Sequence, residues 1–327
     1  MAGITGQGTT FNLPNYVGEL FAVTPTDTPF LSAIGGLTGG ERTTSTLFQW
    51  QGYDLRAAAD DRQRVEGADP AEFSARVRFN VSNVVEIHQE ALELSYTKQA
   101  ATGQYNSTGS THPGSVGIAG TNPVTDELDW QTQQHLIQIA RDIEKSFITG
   151  TFANPATNAT PRKTRGLLAA IATNVIAAPA EPGNALTKDL ILDLLQMVWE
   201  NGGIQVSDTA TIMVNAFQKR QLTDIFVTQA NYQEQSRNVG GVNVTTIETD
   251  FGRLNVMLNR HMPADQLVVV SLEQCAPVFL EVPGKGFLFV EPLAKTGAAD
   301  KFQIYGEVGL KYGNEKAHGK ITGLSTS

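Results

Sequence analysis

The residues best suited to metal or acid–base chemistry are five histidines, His88, His112, His135, His261 and His318, and their spacing serves neither purpose. No two stand at the i, i+4 separation of a helical metal site, and no acid sits at ligand spacing beside a pair of them. Each reads as a structural or surface histidine. Cys275 is the only cysteine, which excludes a disulfide framework and a cysteine-based zinc site, and it reads as a buried structural thiol. Three glycine-bearing stretches come near known motifs and miss them. GITGQG at 3–8 lacks the glycine pattern and the preceding strand of a dinucleotide fingerprint, and VPGKGF at 282–287 lacks the earlier glycine and the Ser/Thr of a P-loop. HPGSVGIAG at 112–120 has Pro113 two residues before Ser115, where a nucleophile elbow needs glycine. No carboxylate pair is isolated in an apolar setting that would raise a pKa. The sequence therefore predicts no catalytic residue, no cofactor site and no metal site, in a chain that is not an enzyme.

With that chemistry missing, function has to lie in how the chain is built. A length of 327 residues, 41% hydrophobic and 17% charged, suits a globular chain with two cores, or one core with extensions. The net charge of −9 argues against a protein that grips nucleic acid by neutralising phosphate, although an acidic surface can lie near DNA without holding it. No apolar run reaches the roughly 18 residues of a membrane span, and MAGITGQGTT has neither the basic region nor the apolar core of a signal peptide. Synthesis in the cytoplasm is the expectation.

The stretch 125–150 predicts one long amphipathic helix around which the remainder is arranged. Thr125 can cap it, Asp126, Glu127 and Asp129 favour its positive end, and Gly150 is suited to a left-handed turn after it. Leu136, Ala140, Ile143 and Phe147, flanked by Ile137 and Ile148, form the apolar face. At 1.5 Å per residue it would run roughly 37 Å.

Ahead of it, residues 1–45 read as an arm without a core, since Pro14, Pro25, Pro29 and glycines 35, 36, 39 and 40 interrupt Phe11, Leu13, Tyr16, Val17, Leu20 and Phe21. Residues 44–82 read as a two-stranded ribbon. Thr46, Phe48 and Trp50 share one face of the outgoing strand, and Phe73, Ala75, Val77, Phe79 and Val81 one face of the returning strand. Between them lies a charged tip with Asp54, Arg56, Asp60, Asp61, Arg62, Arg64, Glu66, Asp69 and Glu72. So long a hairpin is marginal alone in water, so its apolar face needs a surface, either its own domain or another subunit. The stretch 84–99 has weak helical periodicity, and 100–121 is a Gly/Ser/Thr-rich loop.

After the long helix, Arg162, Lys163 and Arg165 form a basic cluster that reads as a solvated loop. AAPAEPGNA at 177–185 is a linker. A second unit then begins, with Thr187 capping a helix to Trp199 that Asn201-Gly202-Gly203 stops. A buried strand at 210–214 follows, then a helix to Phe226 capped by Asn215. Strands are predicted at 242–247, 254–258, 267–271, 278–282, 287–290 and 301–312. The fold class is α+β or mixed α/β, with no internal repeat.

The order of these parts resembles the major capsid proteins of tailed bacteriophages with the HK97-like fold. The likeness rests on several segments together: TPTDTPFLSAIGG, the hairpin, DELDWQTQQHLIQIARDIEKSFITG, RGLL, LTKDLILDLLQMVWENGG, NAFQKRQL and TDFGRLNVMLNRHMPAD, and it runs from about residue 20 to about residue 312. It implies an α+β HK97-like fold with an N-terminal arm at 1–45, an extended hairpin loop at 46–82, a peripheral domain at 83–182 with its spine helix at 125–150, an axial domain at 183–282 and return strands at 283–327. It implies assembly of copies into hexamers and pentamers of an icosahedral head enclosing double-stranded DNA. Portal, separate scaffolding and decoration proteins would be partners, and the DNA a non-specific neighbour. The contacts between subunits would use Phe48, Trp50, Phe73, Val77 and Phe79 on the ribbon face, with Asp60, Asp61, Arg62, Arg64, Glu66, Arg76 and Arg78. Flexibility near Pro179–Gly183 would let one chain occupy both settings. Some capsids of this fold cross-link through a lysine of the extended loop; residues 1–97 hold no lysine, so no such bond is expected. An encapsulin-type shell holding enzyme cargo is the rival reading, and a soluble enzyme with an unrecognised site the second.

Overall fold

In a computed structural model, residues 23–55, 58, 60–61, 63–69, 75–100, 127–181, 183–204, 210–228 and 246–326 are described. Expectations for residues 1–22, for Arg56, Arg62, Glu72 and Phe73, for the segment 101–126 and for 242–245 lie outside them. The chain forms two compact units: a larger one of 28–88, 140–288 and 306–327, and a smaller one of the described parts of 1–27, 89–139 and 289–305.

The larger unit is built on a six-stranded sheet. Its strands are β5 (Val175–Ala177), β6 (Ala210–Val214), β7 (Thr246–Thr249), β8 (Gly252–Leu258), β9 (Leu267–Ser271) and β13 (Gly319–Thr322), ordered β5-β13-β9-β6-β8-β7. The middle of the sheet follows from sequence: ATIMV in β6 and LVVVS in β9 are buried at every position, as unbroken apolar runs demand. Against it packs α5 (Lys188–Glu200), through Leu190, Ile191, Leu194, Leu195 and Val198. Thr187 Oγ1 accepts from Leu190 N at 3.2 Å, so the expected cap is present, and Gly202 turns left-handed at φ 86° after the helix. The helix lies so close that a Cβ on Gly319 would come 2.5 Å from Val198 Cγ2, which is why β13 begins with glycine. Asn215 caps α6 (Ala216–Thr223) through Gln218 N at 3.0 Å; the expected helix to Phe226 instead changes to a π-helical turn at Asp224–Thr228.

Short α4 (Leu167–Ala170) precedes β5. The linker at 177–185 is where the sequence places a boundary between two domains. It joins β5 to α5, which packs on β13 beside β5, so both of its ends belong to one layer.

A second sheet contains β1 (Glu41–Thr43), β4 (Glu86–Ser95), β10 (Ala276–Leu280), β11 (Leu288–Pro292) and β12 (Ala299–Lys311). In the larger unit β1 runs parallel to β10, and β10 pairs antiparallel with the last residues of β12. In the smaller unit the first part of β12 is joined by β11 and by most of β4, with α2 (Tyr96–Ala100) following. The helix expected at 84–99 is a strand over most of its length. Glu86, His88 and Glu90 occupy the inward positions with Leu92 and Leu94, and these polar residues hid the two-residue alternation.

The long helix, α3, spans Glu127–Thr149 and buries Ile139, Ile143, Phe147 and Ile148, while Asp129, Gln133, Gln134, Asp142 and Lys145 are exposed. Gly150 does not turn left-handed. Its glycine is required because a Cβ there would collide with the carbonyl oxygens of Ser146 and Thr164. Glu144, on the apolar side of α3, is fully buried and accepts Phe30 N at 2.9 Å, Leu31 N at 2.6 Å and Asn259 Nδ2 at 2.5 Å. Its two oxygens thereby cap α1 (Pro29–Ala33) and fix the end of the arm to the long helix.

The ribbon is shorter than expected. β2 (Leu47–Tyr53) and β3 (Arg78–Val84) pair antiparallel from Leu47↔Val84 to Tyr53↔Arg78, and residues 75–77 form no strand.

Candidate interaction surface

The hairpin has a root bound to its own chain and an end that is not. Phe48 is buried with Val85 and Val278, over Gly309, where a Cβ would come 2.6 Å from its ring. Trp50 stacks on Phe48 at 5.9 Å, meets Tyr312 edge-on at 4.9 Å and donates from Nε1 to Gly313 O at 2.7 Å. Of the residues expected to contact a neighbouring subunit, Phe48 and Trp50 are thus turned onto the body of their own chain, and burial of Phe48 leaves it no face to offer.

Asn83, opposite Phe48 in the register, is fully buried and has all its polar atoms in use. Its Nδ2 donates to Leu310 O at 2.7 Å and Arg165 O at 3.1 Å, and its Oδ1 accepts Arg165 N at 2.8 Å and Val84 N at 2.9 Å. Beside it, Arg162 donates to Glu307 Oε2 at 2.7 Å and to Val85 O at 3.2 Å. Glu86 accepts Thr164 N at 3.0 Å and meets His88 Nε2 at 3.0 Å. Arg165 lies 4.6 Å over the Phe152 ring and donates to the Tyr312 hydroxyl. The basic cluster is therefore not a solvated loop: Arg162 and Arg165 pin the hairpin root, and Lys163 alone of the three is exposed. Sequence reasoning missed Asn83. The one available signal was a polar residue on the face that Phe79 and Val81 make apolar.

Past the root the hairpin is open. Phe79, on the face of Phe48 and Trp50, lies over Gly52 and is half-exposed; Tyr53 at 69%, on the opposite face, and Val77 at 77% and Leu55 at 67%, beyond the paired strands, stand in solvent. Asp60, Asp61, Arg64, Glu66, Arg76 and Arg78 are all exposed, and among the described residues none of them forms an ion pair. Exposed apolar side chains bordered by unpaired charges of both signs, at the end of a two-stranded hairpin, are suited to contact with another protein surface.

Among the described residues, His318, His135, Cys275 and the turn at 282–287 have structural settings. His318 is buried and neutral: its Nδ1 accepts Ser271 N at 3.2 Å and its Nε2 donates to Tyr312 O at 2.8 Å. Burial pushes its pKa below the ordinary 6.5, against the opposing pull of that Tyr312 bond and of Glu273 and Glu315. His135 stands 3.5 Å from Glu90 within the smaller unit. Cys275 is buried, and burial raises its thiol pKa far above the usual range, so it is held as a thiol. Among the described residues no group of three His, Cys, Asp or Glu side chains could hold a metal ion. VPGKGF is a tight turn closed by Val282 N to Gly286 O at 2.8 Å, with Gly284 and Gly286 at positive φ. No described helix is long and apolar enough to cross a membrane.

The sequence model of the family described as SU10 major capsid protein matches residues 3–325. The major capsid protein of Escherichia phage Phieco32 is 22% identical over 361 residues, an alignment covering 96% of this chain and 94% of that protein. Among solved structures, the capsid asymmetric unit of cyanophage A-1(L) matches with a TM-score of 0.68 at 13% identity, covering 99% of this chain and 100% of that one. The holo-SrpI encapsulin complex of Synechococcus elongatus PCC 7942 matches with a TM-score of 0.56 at 11% identity, covering 97% and 93%. At such identities the structural likenesses speak for the fold, which is the α+β HK97-like one.

Proposed function

The chain belongs to the SU10 major capsid protein family, and from that premise we propose that its copies assemble into hexamers and pentamers closing an icosahedral head around a double-stranded DNA genome. It is a structural component of a virion. The observation that carries the assembly reading is the division of the hairpin: a root fixed by Phe48, Trp50 and Asn83, and an apolar, unpaired-charge end that its own chain leaves open. A rigid root makes the projection a defined tool, and many such contacts per shell sum through multivalency.

In this reading 1–45 is the arm, 46–82 the loop laid over a neighbour, 83–182 the peripheral domain with spine helix 125–150, 183–282 the axial domain and 283–327 the return strands. A portal, a separate scaffolding protein and decoration proteins are the expected partners. The net charge of −9 keeps the wall from trapping DNA during filling. The chain does its work by geometry and catalyses nothing.

Nuclease treatment of particles purified from producing cells tests this. Protected double-stranded DNA of genome length supports the head. A nucleic-acid-free shell carrying a stoichiometric enzyme instead supports the encapsulin reading, to which the fold likeness also extends.

A further inference from the structure

The linker expected to bend is held by a segment that follows every strand of the sheet it crosses. Ala178 N donates to Thr322 O at 2.8 Å on one side of the linker, and Ser325 N donates to Asn184 O at 2.8 Å on the other. Between these ties the chain closes on itself, with Gly183 N to Ala180 O at 2.7 Å and Asn184 N to Pro179 O at 3.1 Å; Gly183 and Asn184 take the left-handed conformation the turn needs.

The holding segment is itself anchored at three further points. Leu324 is buried in the core of the six-stranded sheet, and its N–H donates to Asp265 O at 2.9 Å. Ser325 O accepts from Nε2 of the buried Gln218 at 2.8 Å, and the same nitrogen donates to Ala264 O at 2.8 Å. Just before it, β13 is not an edge but lies between β5 and β9, in register Ile321↔Ile176 and Ile321↔Leu267. Residues 319–325 thus join the linker, the start of α6, the loop at 263–265 and the middle of the sheet.

We propose that residues 319–325 are a strap that locks the linker and completes the sheet, so that this layer becomes competent to meet other copies only once the strap is seated. Until β13 inserts, β5 has no partner in the sheet, the core lacks Ile321 and Leu324, and Ala178 N and Asn184 O lack their bonds to Thr322 and Ser325. Because β13 follows all the other strands in the chain, this layer stays open during synthesis until the strap is available, which delays self-association. Only that consequence rests on the assembly reading; the locking itself does not.

Hydrogen–deuterium exchange of the full chain, with light scattering on the same samples, separates the two. Gln218→Ala removes the anchor on Ser325 O without opening the core, and Leu324→Ala removes the buried anchor. Gln218→Ala is expected to speed exchange in peptides covering 177–186 by about tenfold, the effect of losing a net hydrogen bond's worth of local stability, and Leu324→Ala, which empties a buried site, by more, while peptides of β6 and β9 stay protected. The assembled fraction is expected to fall with the loss of linker protection. Unchanged linker exchange when 322–326 is released would overturn the strap. A released linker with undiminished assembly would overturn its coupling to association and leave the capsid reading intact, whereas a wild-type chain that never assembles would count against that reading alone.

Discussion

Asn83→Ala is expected to be among the most costly single substitutions at the hairpin root, although it removes no apolar contact. The carboxamide satisfies four backbone groups, and two of them, Leu310 O at 2.7 Å and Val84 N at 2.9 Å, belong to residues that are themselves fully buried. Each buried group left without a partner costs about 1–3 kcal/mol, so the pair costs about 2–6 kcal/mol, with a smaller addition from the half-buried Arg165 groups that water can reach. Asn83→Asp keeps the shape and sharpens the test. Its second oxygen would face Leu310 O and Arg165 O with no proton to donate, so the charged form is disfavoured and the folded-state pKa rises above the ordinary value of about 3.9. The folded state then binds more protons than the unfolded state between those two values. Stability of the variant is therefore retained near pH 4 and lost as pH rises through the raised pKa. Urea denaturation of Asn83→Ala, Asn83→Asp and the unaltered chain at pH 4 and pH 7 measures this, with the unaltered chain subtracting all other titrations. A defect in Asn83→Ala below about 0.5 kcal/mol, the usual range for surface changes, or an Asn83→Asp defect identical at both pH values, would refute the buried-clamp account.

Val77→Asp is expected to change folding stability by no more than about 0.5 kcal/mol, since the side chain is 77% exposed, yet to block association; denaturation and light scattering on one preparation compare the two. Trp50→Phe keeps the ring against Phe48 and Tyr312 but loses the bond to Gly313 O, and should cost about 1 kcal/mol in the same denaturation assay; no change would show that bond to be idle. His318, neutral when folded with its pKa pushed below 6.5, leaves the unfolded state holding more protons in the window beneath 6.5. Its contribution is present above 6.5 and is lost as pH falls toward the lowered folded value, so His318→Gln should flatten the stability profile there, and an unchanged slope would contradict the assignment.

What could be read from sequence was set by how local its cause is. The helix α5 announced itself because Thr187 and Asn201-Gly202 mark its ends and its apolar positions keep a helical period. The strands β6 and β9 did so because five successive buried residues leave no other reading. β4 was lost because its inward positions carry Glu86, His88 and Glu90, and the groups that meet Glu86 and Glu90, Thr164 and His135, come from far along the chain. Glu144 and Asn83 were missed for the same reason. Each breaks an apolar pattern, on α3 at four residues past Ala140 and on β3 two past Val81, and only the fold supplies the groups that make them welcome there. The basic cluster was misjudged because Glu307 and Tyr312, which engage Arg162 and Arg165, are more than a hundred residues away. The apolar ribbon face was legible as a pattern, but where its root ends and its open part begins depends on Gly309 leaving room for Phe48.

Negative-stain electron microscopy, with light scattering, of the chain expressed alone and again with a scaffolding protein from the same genome tests the central claim most directly. Closed shells or rings of capsomers in either condition are the predicted result. A monodisperse monomer in both would contradict the account.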